Sequence, residues 1–162
     1  MIRLPARRLA QPEEMRACIQ RVRNASVAVD GVGIGAIGPG LLALVGVQRG
    51  DGPAQADRLA EKIVRLRVFA DAAGKMNLDL TATGGGLLIV SQFTLCADLA
   101  GNRPSFTPAA PPDEARPLID RVVDRCTTLI GRPVATGWFA ADMQVSLVND
   151  GPVTIWIDLP AA

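Results

Sequence analysis

The chain has 162 residues, 49% of them hydrophobic and 20% charged, with a formal net charge of +1. That is enough length and apolar content for one domain with a core of its own, and too apolar a composition for a disordered chain. There is no histidine and no tyrosine, which excludes Ser-His-Asp and Cys-His catalysis and removes the commonest metal ligand.

Residues 1–14, MIRLPARRLAQPEE, hold three arginines and two glutamates but no apolar signal-peptide core. They read as an N-terminal extension, with the folded domain expected over residues 15–162. Setting them aside leaves 14 basic and 14 acidic residues, so the domain is neutral and its charge announces no nucleic-acid partner. No apolar run reaches the roughly 18 residues of a membrane span. Cys18, Cys96 and Cys126 stand far apart and form no C-x-x-C pair. They read as three small buried hydrophobes in a reducing, cytoplasmic setting, with no metal and no cofactor expected.

In chain order, residues 16–23 read as a first strand. Residues 26–30 and 33–37 flank Asp30-Gly31, a hairpin signal. Gly38-Pro39-Gly40 breaks the chain before 41–47, LLALVGV, a run suited to a strand buried on both faces. Asp51-Gly52-Pro53 opens a helix over 53–68, with Ala56, Leu59, Ile63 and Leu66 on its apolar face. Turns are expected at 71–75 and 83–86. Residues 87–95, LLIVSQFTL, read as a second buried strand with a polar end, and 96–111 as a Pro-, Gly- and Ala-rich loop. A second helix starts at Pro112-Asp113-Glu114, presents Leu118, Val122, Cys126 and Leu129, and stops at Gly131 and Pro133. Three short strands, 134–137, 144–149 and 153–159, finish the chain. The expected fold is a single α/β domain with two main helices and a mixed sheet, curved or barrel-like.

Three stretches invite a functional reading. The glycines of 31–40, GVGIGAIGPG, lack both G-x-G-x-x-G before a helix and G-K-[ST], and read as hairpin and turn residues. Ser91, Gln92, Phe93 and Thr94 place polar groups where a buried strand ends, a position from which side chains either face a cleft or simply satisfy local backbone groups. Ser91 or Thr94 as a nucleophile would need an activating base, and no histidine exists to supply one, so positioning and hydrogen bonding are favoured over covalent catalysis. Gly151-Pro152, in NDGP between two strands, is first of all a turn. Yet proline at a strand start forfeits a ladder donor, and a cis peptide there would set the flanking carbonyls to one side as acceptors.

SQFTL at 91–95, PSF at 104–106 and NDGPVT at 149–154 occur in that order, together with MRACIQRV at 15–22, VDG at 29–31, AIGPGLL at 36–42 and GKMNL at 74–78. This combination, spread over residues 15–159, resembles the D-aminoacyl-tRNA deacylase family. The resemblance implies a homodimer with active sites at the subunit interface. It implies hydrolysis of the ester between a D-amino acid and the terminal ribose of tRNA, with neither DNA nor membrane as partner; glycine, lacking a side chain, passes a steric filter against L residues, so glycyl-tRNA is expected as a second substrate. Carried over, the pocket is Ser91, Gln92, Phe93 and Thr94, faced by Gly151 and Pro152 of the other subunit. Arg21 helps hold that Gly-Pro loop. Arg21 shares a strand face with Ile19, which suits a buried, hydrogen-bonded guanidinium. In the family, water attack is assisted by the RNA 2′-OH rather than by a protein base, which accords with the missing histidine. One departure stands out. The loop between SQFTL and PSF is CADLAGNR, where family members often carry a basic run, so few phosphate contacts and a shallow salt dependence are expected.

Overall fold

The computed structural model describes residues 14–160; the proposed extension, Glu14 apart, lies outside them. One long strand, β1 (Glu14–Val29), organises the sheet, where the sequence pattern predicts two. It turns through Asp30 and Gly31, both at positive φ (50° and 76°), into β2 (Val32–Ile37), with Val29 opposite Val32. That two-residue reversal is the hairpin geometry Asp-Gly favours. Strand β3 (Gly40–Gly46) pairs antiparallel with the first half of β1, from Arg16 opposite Gly46 to Val22 opposite Gly40.

The alternation in β1 changes phase on purpose. Met15, Ala17 and Ile19 enter one apolar cluster, while Val22, Ala25 and Val27 enter another. A register shift between Val22 and Asn24 inserts one residue on β1. Because side chains alternate strictly along a strand, one extra residue flips the pattern and keeps Ala25 and Val27 on the face that Val22 occupies.

From β3 the chain makes two crossovers. Helix α1 (Pro53–Arg65) leads to β6 (Gly86–Ser91), parallel to β3, and helix α3 (Pro112–Ile130) leads to β7 (Ala135–Thr136), parallel to β6. Two crossovers of one hand stepping in one direction set both helices on the same face of the sheet. There Leu59, Ile63 and Val122, all fully buried, pack with Leu41, Ala43, Leu87 and Ile89. Truncating Leu59 to alanine in such a core costs about 2–5 kcal/mol. Gln55 accepts from the Gly52 N–H (2.9 Å) at the start of α1, and Gly131, at φ 71°, closes α3 by donating to Thr127 (2.9 Å).

Helix α1 stops at Arg65 rather than running to residue 68, because the chain straightens to form a small ribbon, β4 (Phe69–Ala70) with β5 (Met76–Leu78). The turn expected at 83–86 begins instead as a one-turn helix, α2 (Leu80–Thr83), capped by the Asp79 carboxylate on the Ala82 N–H (2.9 Å). Among the described residues there are thus three α-helices, two of them long. The last two expected strands are one, β8 (Gln144–Pro160), which covers the free edge of β1 from end to end.

The sheet is open, not a barrel. Its order is β2-β1-β3-β6-β7, with β8 on the other edge of β1. The ends β2 and β7 approach closely, since a side chain at Gly35 would lie 2.7 Å from the Thr136 carbonyl, but no ladder joins them. β7, with two residues, is too short to seal the gap.

Candidate active site

Ser91 is the last residue of β6. The Gln92 N–H still bonds the Val45 carbonyl (2.8 Å), but β3 ends at Gly46, so nothing remains to pair with. The chain therefore leaves the sheet and winds into a 3₁₀ turn, Phe93–Cys96, where the sequence pattern predicts continued strand. That turn has a prepared seat. A Cβ at Gly46 would sit 3.0 Å from the Gln92 oxygen, 3.1 Å from Leu95 Cβ and 3.0 Å from Cys96 Sγ, so glycine there lets the turn lie against the sheet. Arg16, the cross-strand partner of Gly46, donates from Nη1 to the Leu95 carbonyl (3.0 Å) and pairs through Nε with Asp158 on β8 (3.2 Å). The Gln48 amide, turned oxygen-first toward Arg16, accepts from Nε and Nη2 at 3.2 and 3.3 Å.

Ser91, Gln92 and Phe93 line one side of a groove of about 580 Å³. Phe106 lies across from Phe93 in an edge-to-face pair, ring centroids 5.0 Å apart. Phe106 is placed there by backbone stitching. Asp98 and Ser105 exchange N–H bonds (2.7 and 3.0 Å), which folds the long loop back on itself. Arg49 then ties residues 107 and 108 to the end of β3, from its N–H to the Pro108 carbonyl (3.0 Å) and from Nε to the Thr107 carbonyl (2.8 Å). The distant SQF and PSF motifs thus meet in one cleft.

A third wall was not anticipated from the sequence. It comes from Phe139, Ala140 and Met143, with Ala140 at a positive φ of 62° and Arg116 stacked 5.0 Å over the Phe139 ring. The available signal was an aromatic pair, Trp138-Phe139, in a stretch without periodicity. Thr94 does not line the groove. It is exposed, and its Oγ1 accepts from the Gln92 side-chain amide. Among the described residues, Arg49 and Asp142 are the only ionisable ones in the lining. Burial pushes the Cys96 thiol up to about 11, with Arg16 opposing, and that of Cys126 up to about 12. Neither is a thiolate near neutral pH. Cys18 is half-buried, not buried as expected, because it lies on the sheet face opposite the one that α1 and α3 cover.

Arg21, Gly151 and Pro152 stand elsewhere. In β8 three extra residues bulge opposite Arg21, since Gln20 pairs with Thr154 and Val22 already with Asn149. The bulge carries the cis Gly151-Pro152 peptide, and both residues are exposed. Arg21 fastens its base. Nε donates to the Asp150 carbonyl (3.0 Å), Nη1 donates to the Val68 carbonyl (2.6 Å), and the side chain is only 16% exposed. Gly151 adopts φ 125°, and a Cβ there would come within 3.0 Å of Arg21 Nη2. None of these three residues lines the groove of their own chain.

A family model described as D-Tyr-tRNA(Tyr) deacylase matches residues 18–158. A D-aminoacyl-tRNA deacylase of Thioalkalivibrio sulfidiphilus is 59% identical over 147 residues, covering 90% of this chain and 98% of its own. One from Paracidovorax citrulli is 62% identical over 143 residues, covering 87% and 91%. Among solved structures, the c-Myc DNA unwinding element binding protein superposes with a TM-score of 0.85 at 38% identity, over 90% of this chain and 99% of its own. A probable eukaryotic D-amino acid tRNA deacylase gives 0.79 at 16% identity over the same shares, a likeness of fold.

Proposed function

The chain belongs to the D-Tyr-tRNA(Tyr) deacylase family, and from that premise we propose that it hydrolyses the ester joining a D-amino acid to the 3′-terminal ribose of tRNA. The observation that carries this reading is the groove at the end of β6, with Ser91, Gln92 and Phe93 on one side, aromatic walls on the others, and no histidine. Such a site is built to hold and polarise an ester, not to activate a serine.

The proposed chemistry follows from what the groove lacks. Water attacks the ester carbonyl, the ribose oxygen leaves and takes up a proton, and the neighbouring 2′-OH of the RNA assists. The Phe93 and Thr94 N–H groups precede the first bond of the 3₁₀ turn, from Leu95 N–H to the Gln92 carbonyl, so the turn itself does not use them. With the Ser91 hydroxyl they are the proposed donors to the developing oxyanion. Donors so placed contribute about 3–4 kcal/mol each in other enzymes.

The working unit is proposed to be a homodimer in which Gly151 of the partner subunit and the partner's Pro152 complete the groove. Two observations support this. Both residues are exposed and lie outside the lining of their own groove, on a bulge fastened by Arg21. On the face without helices, the register sets exposed Trp156 beside Cys18 and exposed Leu147 beside Ala25, an apolar strip suited to a second copy. Carbonyls of that bulge would accept from the α-ammonium and leave room only for hydrogen where an L side chain points. A D side chain points away, so its identity matters little. Glycine, without a side chain, passes the same filter, and glycyl-tRNA is the proposed second substrate. A cytoplasmic site of action goes with these substrates.

The test compares hydrolysis of matched D-, L- and glycyl-tRNA, each with and without the terminal 2′-OH. The expected order is D and glycyl far above L, with a large loss when the 2′-OH is removed. Equal rates for the two enantiomers would end this reading, and indifference to the 2′-OH would return the base to the protein.

A further inference from the structure

The domain is neutral and the loop between SQFTL and PSF keeps one arginine, which leaves open how the site would engage a polyanionic RNA. Among the described residues, the acids of helix α1 are paired across to α3, and its bases are not. Asp57 and Glu61, one turn apart, are paired with Arg121 and Arg125, one turn apart on α3 (2.8 and 3.0 Å). The acids of α1 are thereby neutralised on the α3 side. Arg58, Lys62, Arg65 and, just beyond the helix, Arg67 surround a hollow of about 450 Å³ floored by Leu66 and Leu159, which Glu61, its carboxylate already paired with Arg125, also lines. Lys62, Arg65 and Arg67 are exposed. Arg58 is held to the Pro160 carbonyl (2.5 Å), and Arg67 to the Asn77 carbonyl (2.9 Å) and side chain, bonds that fix the side chains without cancelling their charge. Among the described residues, Lys62 and Arg65 form no ion pair with a carboxylate.

This flank is also connected to the proposed site. The chain leaving it reaches Val68, whose carbonyl accepts from Arg21, and Arg21 grips the Asp150 carbonyl at the base of the Gly151-Pro152 bulge. Both Lys62 and Arg65 lie in the last turn of α1, where cations also interact favourably with the helix dipole. A row of positive groups, Arg58 and Arg67 held by carbonyls, linked through Val68 and Arg21 to the bulge proposed to complete the groove, suits a sugar–phosphate backbone whose 3′ end enters that groove.

We propose that Arg58, Lys62, Arg65 and Arg67 form the phosphate-contacting surface for the RNA body of the substrate, supplying the contacts that the loop at residues 96–103 lacks. This rests on the deacylase reading. Neutralising two to four phosphates corresponds to a log–log salt slope of about −1.4 to −3.6.

The experiment uses the full chain carrying Lys62→Glu and Arg65→Glu, both at exposed positions. It measures kcat/KM between 50 and 200 mM salt on D-aminoacyl-tRNA and on a D-aminoacyl-adenosine ester, which keeps the ribose and loses the RNA body. The expected result is a drop of at least about tenfold on tRNA, a salt slope shallower by about 1.4–1.8, and a rate on the adenosine ester within twofold of the parent. Unchanged tRNA kinetics and slope would overturn the proposal. So would an equal drop in Lys75→Glu, an exposed charge reversal elsewhere, since net charge and not this flank would then govern. If the parent hydrolyses neither substrate, the deacylase reading fails by itself. Filter binding of uncharged tRNA then decides the surface: weaker binding by the double variant supports it, and equal binding overturns it.

Discussion

The end of β6 and the bulge of β8 are both candidate parts of one site, and they are built in opposite ways. At β6 the chain is concave. Ser91, Gln92 and Phe93 sit in a groove whose far walls, Phe106 and Phe139, are held by backbone stitching and by Arg116. At β8 the chain is convex. Gly151 and Pro152 have no reactive side chain, stand exposed, and are positioned from beneath by Arg21. A groove that lacks the Gly-Pro carbonyls of its own chain and a projection without its own groove are the two halves of the proposed site. In one chain they do not meet, which is the physical argument for a second copy.

The sharpest way to break this comparison is Gly151→Ala. At φ 125°, with Arg21 Nη2 and Val153 within 3.0–3.2 Å of a new Cβ, the bulge must shift. The expected loss is at least about 100-fold in kcat/KM on D-aminoacyl-tRNA, with a parental circular dichroism spectrum. Mixing it with Phe93→Ala, which should also be inactive, then tests whether the halves come from different chains. Subunit exchange should restore about a quarter of parental activity, because half of the random dimers hold one intact site. No recovery after verified exchange would place both halves in one subunit.

The groove half is sharpened by its seat. Arg16→Met removes the bond to the Leu95 carbonyl, and Gly46→Ala presses on Gln92, Leu95 and Cys96. Each should lower kcat by about tenfold while KM stays within twofold, with partial rescue in Arg16→Lys, since the displaced turn acts on the reacting carbonyl more than on RNA binding. A lower melting temperature with parental kcat would reduce the pair to structural support.

Thr94→Ala should matter less. Thr94 lies outside the lining, and with substrate assistance its removal should leave activity within about tenfold of the parent. A loss as deep as that of Gly151→Ala would instead revive a threonine nucleophile.

The smallest effect lies away from both halves. The Arg121 hydrogen bond holds the Asp57 carboxyl below its ordinary range. A depressed carboxylate stabilises the fold above its unfolded pKa of about 3.9 and loses that contribution as pH falls through the folded value. Thermal melts of the parent should therefore fall more steeply below pH 4 than those of Asp57→Asn, with a difference of no more than about 3 °C because the pair is exposed. Parallel curves would show that the pair between α1 and α3 adds nothing.

Much of this was legible in the chain because it depends on local pattern. Asp30-Gly31 announced its hairpin, Pro53 and Pro112 their helices, and Gly131 its stop. The polar residues after LLIV marked where the groove lies. Other features were invisible because they depend on distant partners. Residues 93–95 have the composition of a strand, but β3 ends beside them and they coil over Gly46 instead. Residues 144–160 look like two strands broken by NDGP, but β1 pairs with both halves and makes them one. Phe139 and Ala140 offered no periodic signal and still form a wall.

By itself, then, the sequence determined the class of fold, the missing acid–base machinery and the motifs that identify the family, since each is written in residue type and short-range spacing. Only the tertiary structure decided that the sheet stays open, that SQF and PSF face each other, that Arg16 and Gly46 seat the turn, and that the bases of α1 gather on one flank. Those depend on which strand edges are free and which carbonyls lie within reach of a guanidinium, and such distances exist only once the chain has closed on itself.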